Sequence, residues 1–499
     1  MFLIFDTETT GLPRDWKAPL TDYDNWPRLV QLAWQIRDIK GNLIKVKDYI
    51  IKPDGFEIPF NSQKIHGIST EIAIKNGYDL KLVLDEFDND LKLSRFIIGH
   101  NVDFDNSIVG CEFHRNNMEN ILQDFPKIDT MKSSVDFCKI PGGRGGSFKY
   151  PSLTDLHKKL FGDDFKEAHN AAADVDATSK CFLELLYNQV IPNSIVDFTQ
   201  EQFKQYSSNY LNVIKSFDSS DDKEESVDYI DKDIVVENDL EIKKKEISKE
   251  IKSSFSHLHL HSQYSILQAS TNINELVNKA VEMNMPAVAI TDLNNMYGVF
   301  KFLNTVLNHE VNQLNDGGTY GLKPIIGCEI SVCMNHEDKD RKDHGFQQVL
   351  LCKDKKGYQN LSKLSSISYL KGFYYIPRID KRLLLEFKDG LIALTGSIYG
   401  EIPKLILNEG ENKAEQEFIW WKENFGDDFY VELIRHGLEE EKYVNTILLK
   451  FAKKHNVKVI AANNVFYLNK SDAKAHDVLL CVKDGEIQST PKGKGRGFR

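Results

Sequence analysis

The run Phe2-Leu3-Ile4-Phe5-Asp6-Thr7-Glu8-Thr9-Thr10-Gly11 reads as a buried strand that ends in two carboxylates. Side chains alternate across a strand, so Asp6 and Glu8 share one face. Two oxygen ligands on one rigid element are what a hard divalent cation needs. Asp-x-Glu alone is a weak signal, because many strand ends carry solvated acids. Two further segments give it weight. His100-Asn101-Val102-Asp103-Phe104-Asp105 follows the strand-like Phe96–Gly99 and opens a helix, so Asp103 or Asp105 projects from the first turn beside a strand end. His169-Asn170-Ala171-Ala172-Ala173-Asp174-Val175-Asp176 opens an alanine-rich helix with Asp174 or Asp176 on its first turns. Clustered carboxylates repel one another unless cations intervene. A histidine beside them, with an unperturbed pKa of about 6.5, can move a proton at neutral pH.

A second constellation begins at Ser256-His257-Leu258-His259-Leu260-His261-Ser262, where alternate histidines share a strand face at a spacing suited to metal binding. The loop Pro141-Gly142-Gly143-Arg144-Gly145-Gly146 lets backbone approach phosphates, but it lacks the Lys-Ser/Thr ending of a P-loop.

The elements that must position these groups fall into separate regions. Over residues 1–187, Phe2–Phe5, Leu29–Ile36 and Phe96–Ile98 read as strands. Leu80–Leu93, Phe104–Phe113 and Asp174–Leu186 carry helical periodicity, so this is an α/β or α+β domain. Residues 188–254 read as a charged, largely flexible linker. Within it, 218–252 holds 13 acidic against 7 basic residues, a composition too polar to offset chain entropy, with a possible helix over Glu241–Ile251. Residues 255–490 alternate strands (Ala287–Ile290, Pro324–Ile330, Gln348–Leu351, Leu391–Leu394, Phe429–Ile434, Lys458–Ala461) with helices (Ile273–Met283, Tyr358–Ile367, Glu439–His455). Repeated β-α units point to a parallel barrel or doubly wound sheet, with Asn335–His344 as a surface loop. Residues 491–499 read as a basic, truncated tail.

Composition limits the alternatives. A chain of 499 residues, 41% hydrophobic, carries two or three domains at roughly 150 residues each. Its net charge of −11 argues against coating nucleic acid by bulk charge and leaves room for a local basic groove. Seven scattered cysteines without a Cys-x-x-Cys pair argue against a zinc ribbon and for reduced thiols in a cytoplasmic protein. No run approaches the ~18 apolar residues of a membrane span, and the start has no signal-peptide pattern.

Taken together and in this order, the first three segments resemble the DEDDh exonuclease superfamily over residues 1–187. The resemblance implies an RNase H-like fold. It implies two Mg²⁺ or Mn²⁺ held by Asp6, Glu8, Asp105 and Asp174, with His169 taking the proton from the attacking water. It carries nucleic-acid contacts to Thr9, His66 (in Ile65-His66-Gly67-Ile68) and His100; an ordinary loop histidine is the competing reading of His66. The second constellation is similar to the polymerase and histidinol phosphatase (PHP) domain of the bacterial DNA polymerase III alpha family. Met285–Asp292, Lys323–Glu329, Gly372–Tyr375, Pro377–Asp380 and Ala475–Cys481 extend that likeness over 255–490. This implies a distorted (β/α)₇ barrel. Of the family's ring of metal ligands, His259, His261, Asp292, Glu329 and His436 remain. Leu293, Gln347, Asn464 and Phe466 stand where four others are expected. The expectation is therefore a catalytically silent PHP domain without metal; a single residual ion at His259, His261 and Glu329 is the competing reading.

An exonuclease directly preceding a PHP domain resembles the start of fused replicative polymerases. The resemblance implies the N-terminal part of a longer enzyme. It would be a 3′→5′ exonuclease that proofreads DNA 3′ ends alongside polymerase III core or replisome components, and away from membranes. The alternatives are a stand-alone nuclease acting on RNA or short oligonucleotides, and a non-catalytic polymerase scaffold.

Overall fold

The computed structural model describes residues 1–142, 147–163, 165, 170–218, 255–313 and 321–490. His169, the glycine-rich stretch 143–146, residues 219–254 with the expected helix Glu241–Ile251, and the tail 491–499 lie outside the described residues. The chain divides into two compact units, Met1–Asn238 and Asp239–Arg499.

The first unit is built on a five-stranded sheet: β1 (Phe2–Thr9), β2 (Leu29–Arg37), β3 (Leu43–Ile50), β4 (Phe96–Gly99) and β5 (Lys127–Asp129), in the order β3-β2-β1-β4-β5. β1 lies at the centre, antiparallel to β2 and parallel to β4. Its apolar residues are buried on both faces, as a central strand covered by helices requires. Phe2 and Ile4 pack with Phe182 and Leu186 of the helix Ala171–Tyr187. Leu3 and Phe5 pack on the other face, with Phe87 and Leu91 of the helix Leu80–Leu93 and Val109 and Phe113 of the helix Val102–Arg115. Even-numbered positions of β1 thus look toward one helix and odd-numbered positions toward the other two.

One expectation is corrected here. The linker does not begin at residue 188: a helix spans Gln200–Asp218, and its Tyr206, Tyr210 and Val213 are buried in the same core as Phe182. Their i, i+4, i+7 spacing is an apolar stripe. The Tyr210 ring stacks on Tyr187 at 3.9 Å, and the Tyr206 hydroxyl donates to the Leu183 carbonyl. The surrounding charge hid that stripe. β3 also went unread, because it is an edge strand with Leu43, Ile44 and Val46 largely exposed, so burial does not shape its sequence.

The second unit holds β6 (Ala287–Ile290), β7 (Lys323–Cys333), β8 (Phe346–Cys352), β9 (Ile379–Asp380), β10 (Leu391–Leu394), β11 (Phe429–Ile434) and β12 (Lys458–Ala462). They run in the order β12-β11-β10-β8-β7-β6, with β9 on β7. β8 is antiparallel to both β7 and β10, which is the distortion in an otherwise parallel sheet. The segment after residue 255 bridges β6 through His257 and Val288, and bridges the chain just beyond β12 through Leu260 and Val465. The sheet therefore curls back on itself, with the histidine segment at its seam. The expected surface loop Asn335–His344 has neither helix nor strand, yet it is pinned. His336 is buried, with its Nδ1 2.6 Å from Asp380 Oδ2, and the buried Arg378 guanidinium donates to the Asp343 and Asp338 carbonyls.

Candidate active site

Asp6 and Glu8 continue the β1 face set by Phe2 and Ile4, so they look toward the helix Ala171–Tyr187. That helix starts at Asn170, whose side chain accepts from the backbone N–H groups of Ala172 and Ala173. This cap fixes the first turn and brings Asp174 over the strand end. Carboxylate oxygens of Asp6, Glu8 and Asp174 lie within 4.8 Å of one another.

Asp105 arrives from the opposite side of the sheet, on the first turn of Val102–Arg115. One of its oxygens accepts from the Thr7 amide at 3.1 Å and the Thr7 hydroxyl at 2.7 Å. Thr7 points to the odd-numbered face, which explains why Asp105 stands beside the three-acid cluster rather than in it. It is still near enough to act electrostatically. Burial first, then Asp105, Asp174 and Glu8, hold the Asp6 carboxyl well above its usual range. Burial, Asp174 and Asp105 push Glu8 up to about 8. Burial also raises Asp105, against the two Thr7 hydrogen bonds.

The competing acids are committed elsewhere. Asp103 pairs with Lys127 at 3.2 Å and with Lys132 on the surface. Asp176 accepts from Gln35 and faces Arg37. Thr9 is buried and donates to the Gly11 carbonyl. His66 is buried in the helix Phe60–His66, and its Nδ1 accepts from the Ile68 amide, so Nε2 carries the proton. Burial lowers its pKa to about 4, leaving a neutral, fixed N–H donor. Both ring nitrogens of His100 are engaged within the protein, at 3.0 Å from the Thr130 hydroxyl and 3.0 Å from the Pro151 carbonyl.

In the second unit, His259, His261 and Glu329 come together with ligand atoms within 4.8 Å of one another, all fully buried. His259 Nδ1 lies 2.8 Å from Glu432 Oε1 and its Nε2 3.5 Å from Glu329; His261 Nε2 lies 3.1 Å from Glu329 and 3.0 Å from Asn464 Oδ1. Burial alone would lower the His259 pKa, but Glu432 and Glu329 overcome it and raise it to about 10. Glu329 is brought down to about 2 by His259 and His261 against its burial. Asp292 is occupied by Ser262 and Ser265, which donate to both its oxygens. His436 sits apart from the cluster, its Nδ1 2.8 Å from Glu441. Phe466 stacks on His261 at 4.4 Å. Glu432 escaped the sequence reading; its signal was a lone carboxylate in the apolar strand Phe-Tyr-Val-Glu-Leu-Ile.

Among the described residues, no helix is long and apolar enough to cross a membrane. Residues 3–182 match the Exonuclease family and residues 257–436 match the PHP domain family. DNA polymerase III subunit alpha of Borreliella burgdorferi is 39% identical over 242 residues, covering 48% of this chain and 20% of that protein. The Thermus aquaticus protein of the same name is 37% identical over 248 residues, covering 48% and 19%. The chain spans about a fifth of the length of these curated relatives. Among solved structures, E. coli exonuclease I in complex with a dA16 oligonucleotide is 22% identical, covering 39% of this chain and 42% of that one with a TM-score of 0.31. The chain is therefore an Exonuclease-family domain followed by a PHP domain, with DNA polymerase III subunit alpha among its relatives.

Proposed function

We propose that the first domain is a 3′→5′ exonuclease that removes nucleotides from DNA 3′ ends and proofreads for a replicative polymerase, and that the PHP domain is catalytically silent. The observation that carries the first reading is the convergence of Asp6, Glu8 and Asp174 on one face of β1. Three hard oxygen donors whose charges disfavour one another fit divalent cations. With Asp105 beside them, they would hold two Mg²⁺ or Mn²⁺. Such a pair, when bound, supplies an activated water and offsets charge on the leaving 3′ oxygen. The chain's own residues do the rest. Asp105, held by Thr7, keeps the second side of the site in place. Thr9 and the neutral N–H of His66 position the terminal nucleotide, while His100 braces the turn that leads into the helix carrying Asp105. His169, one residue before the Asn170 cap, accepts the proton from the attacking water.

The polymerase III alpha relatives support DNA as the substrate and replication proteins as partners. The test is Mg²⁺-dependent digestion of 3′-mismatched DNA and matched RNA oligomers by the full chain. Mononucleotide release from DNA is the expected result, and faster digestion of RNA would overturn the proofreading reading. His169→Ala should lower kcat by about 10²–10⁴-fold, the range for losing a general base. Unchanged turnover would remove His169 from the mechanism.

The silent reading of the PHP domain rests on Leu293 and Phe466, apolar groups where a multinuclear centre needs donors, and on the His259 imidazole standing between Glu329 and Glu432. The full chain carrying Asp6→Ala and Asp174→Ala, dialysed against Zn²⁺ or Mn²⁺, should retain well under one equivalent of metal by mass spectrometry of the elements. One tightly held equivalent would sink this reading.

A further inference from the structure

Between β1 and β2 the chain takes a long excursion, residues 10–28, where a short hairpin would serve the sheet. The excursion is built, not loose. Its base is closed by the Thr10 amide on the Arg28 carbonyl and the Arg28 amide on the Thr10 hydroxyl, both at 2.9 Å. Its middle is clamped by buried Asn25, which accepts from the Asp15 amide at 2.7 Å and donates to the Asp15 carbonyl at 2.9 Å. The Trp26 indole is buried and donates to the Pro19 carbonyl. Arg115 of the helix Val102–Arg115 holds the far side through the Tyr23 and Trp26 carbonyls. This framework fixes Asp15, and the next residue is Trp16.

Trp16 is 56% exposed, unlike Trp26 and Trp34, which are buried. Its ring lies 5.7 Å from that of Phe104, tilted by 49°. Phe104 sits between Asp103 and Asp105, and Asp105 is close enough to Asp6 and Glu8 to raise their pKa values. A rigidly mounted, water-exposed indole beside the acidic site presents a π-face at low entropic cost to whatever approaches. The flanking Arg14 and Lys17 are exposed cationic neighbours suited to a phosphate backbone.

We propose that Trp16 is a specificity-determining residue that stacks on a nucleobase upstream of the scissile phosphate, so that the site favours single-stranded polynucleotide ends over duplex ends. This rests on the exonuclease reading above. Stacking of this kind is indifferent to base identity, so it selects strandedness and not sequence.

The test uses the full chain with a 3′-terminal single-stranded oligothymidylate. Trp16→Ala should raise KM by roughly 10-fold, the order expected for losing one stacked base, with kcat within about 2-fold and an unchanged melting temperature. Trp16→Phe, which keeps a ring, should return KM to within about 3-fold of the parent. In the Asp6→Ala background, Trp16→Ala should weaken binding of the same oligonucleotide by a similar factor, measured by fluorescence anisotropy. Unchanged KM and affinity in Trp16→Ala would overturn the proposal, as would a failure of Trp16→Phe to rescue. So would a lowered melting temperature with kcat and KM falling together, because Trp16 would then be structural. Full activity in Asp6→Ala would instead overturn the site reading. The anisotropy comparison judges Trp16 independently of that outcome.

Discussion

Asp6→Asn is expected to abolish nucleotide release, by on the order of 10³-fold or more. As a proposed ligand of catalytic metal, Asp6 would contribute several kcal/mol of transition-state stabilisation, and each 1.36 kcal/mol is a factor of ten. The same substitution should leave the metal-free protein as stable as the parent, or more stable. Burial, then Asp105, Asp174 and Glu8, hold the Asp6 carboxyl well above its usual range, so a neutral amide there avoids the desolvation and repulsion that its ionised form meets. The linkage has a definite sign. A carboxyl whose folded pKa is raised contributes stability below its unfolded value and loses it as pH climbs through the folded value. For Glu8 that window runs from about 4.5 to about 8. Metal-free parent protein should therefore lose melting temperature across this range, and Mg²⁺ should restore it by binding only the folded state. Asp6→Asn should flatten the pH slope and remove the Mg²⁺-induced rise together. An inactive variant that still gains the full Mg²⁺ stabilisation would show that Asp6 acts in some way other than holding metal.

The reach of the sequence can be judged from the same residues. Phe2–Phe5 announced a buried strand, and alternation alone put Asp6 and Glu8 on one face, because period-2 geometry is local. Ala287–Ile290, Leu391–Leu394, Phe429–Ile434 and Glu439–His455 coincide with the observed elements, since each is either a short apolar run or a long amphipathic one. The choice of Asp174 over Asp176 was legible only through family spacing. Physically it depends on Gln35 and Arg37 of β2 claiming Asp176, a contact across 141 positions that no local pattern encodes. The separation of Asp105 from the three-acid cluster was equally hidden, because it turns on the Thr7 hydroxyl facing the opposite side of the sheet. The helix Gln200–Asp218 was lost in charge: three buried residues in nineteen do not shift a composition that is otherwise polar.

Glu432 is the case where the missing information has the largest energetic consequence. His259 lies between two buried carboxylates, Glu432 on β11 and Glu329 on β7, 173 and 70 positions away in sequence. The imidazole holds its proton up to a pKa of about 10 and Glu329 stays ionised down to about 2, so one buried cation stands between two acids. Removing the shared cation takes the imidazole from buried Glu432 and leaves Glu329 with His261 alone. His259→Gln should therefore cost about 3–5 kcal/mol, the range for breaking a buried ion pair, or roughly 10 °C in the melting of this unit. The pH signature separates this from a simple packing defect. His259 has a raised folded pKa, so its contribution is complete below the unfolded value near 6.5 and vanishes as pH rises through about 10. Glu329 works in the opposite sense: its contribution is complete above about 4.5 and vanishes as pH falls through about 2. The parent should be most stable between about 4.5 and 6.5 and soften on the alkaline side, whereas His259→Gln should lack that alkaline limb. Restoring balance with Glu432→Gln in the His259→Gln background should recover part of the loss, because one stranded carboxylate is then neutral. Calorimetry across pH, with and without a chelator, decides it: a variant melting within 2 °C of the parent, or a parent whose barrel melts lower in chelator, would mean that a metal ion and not the His259 proton holds Glu329 and Glu432 together.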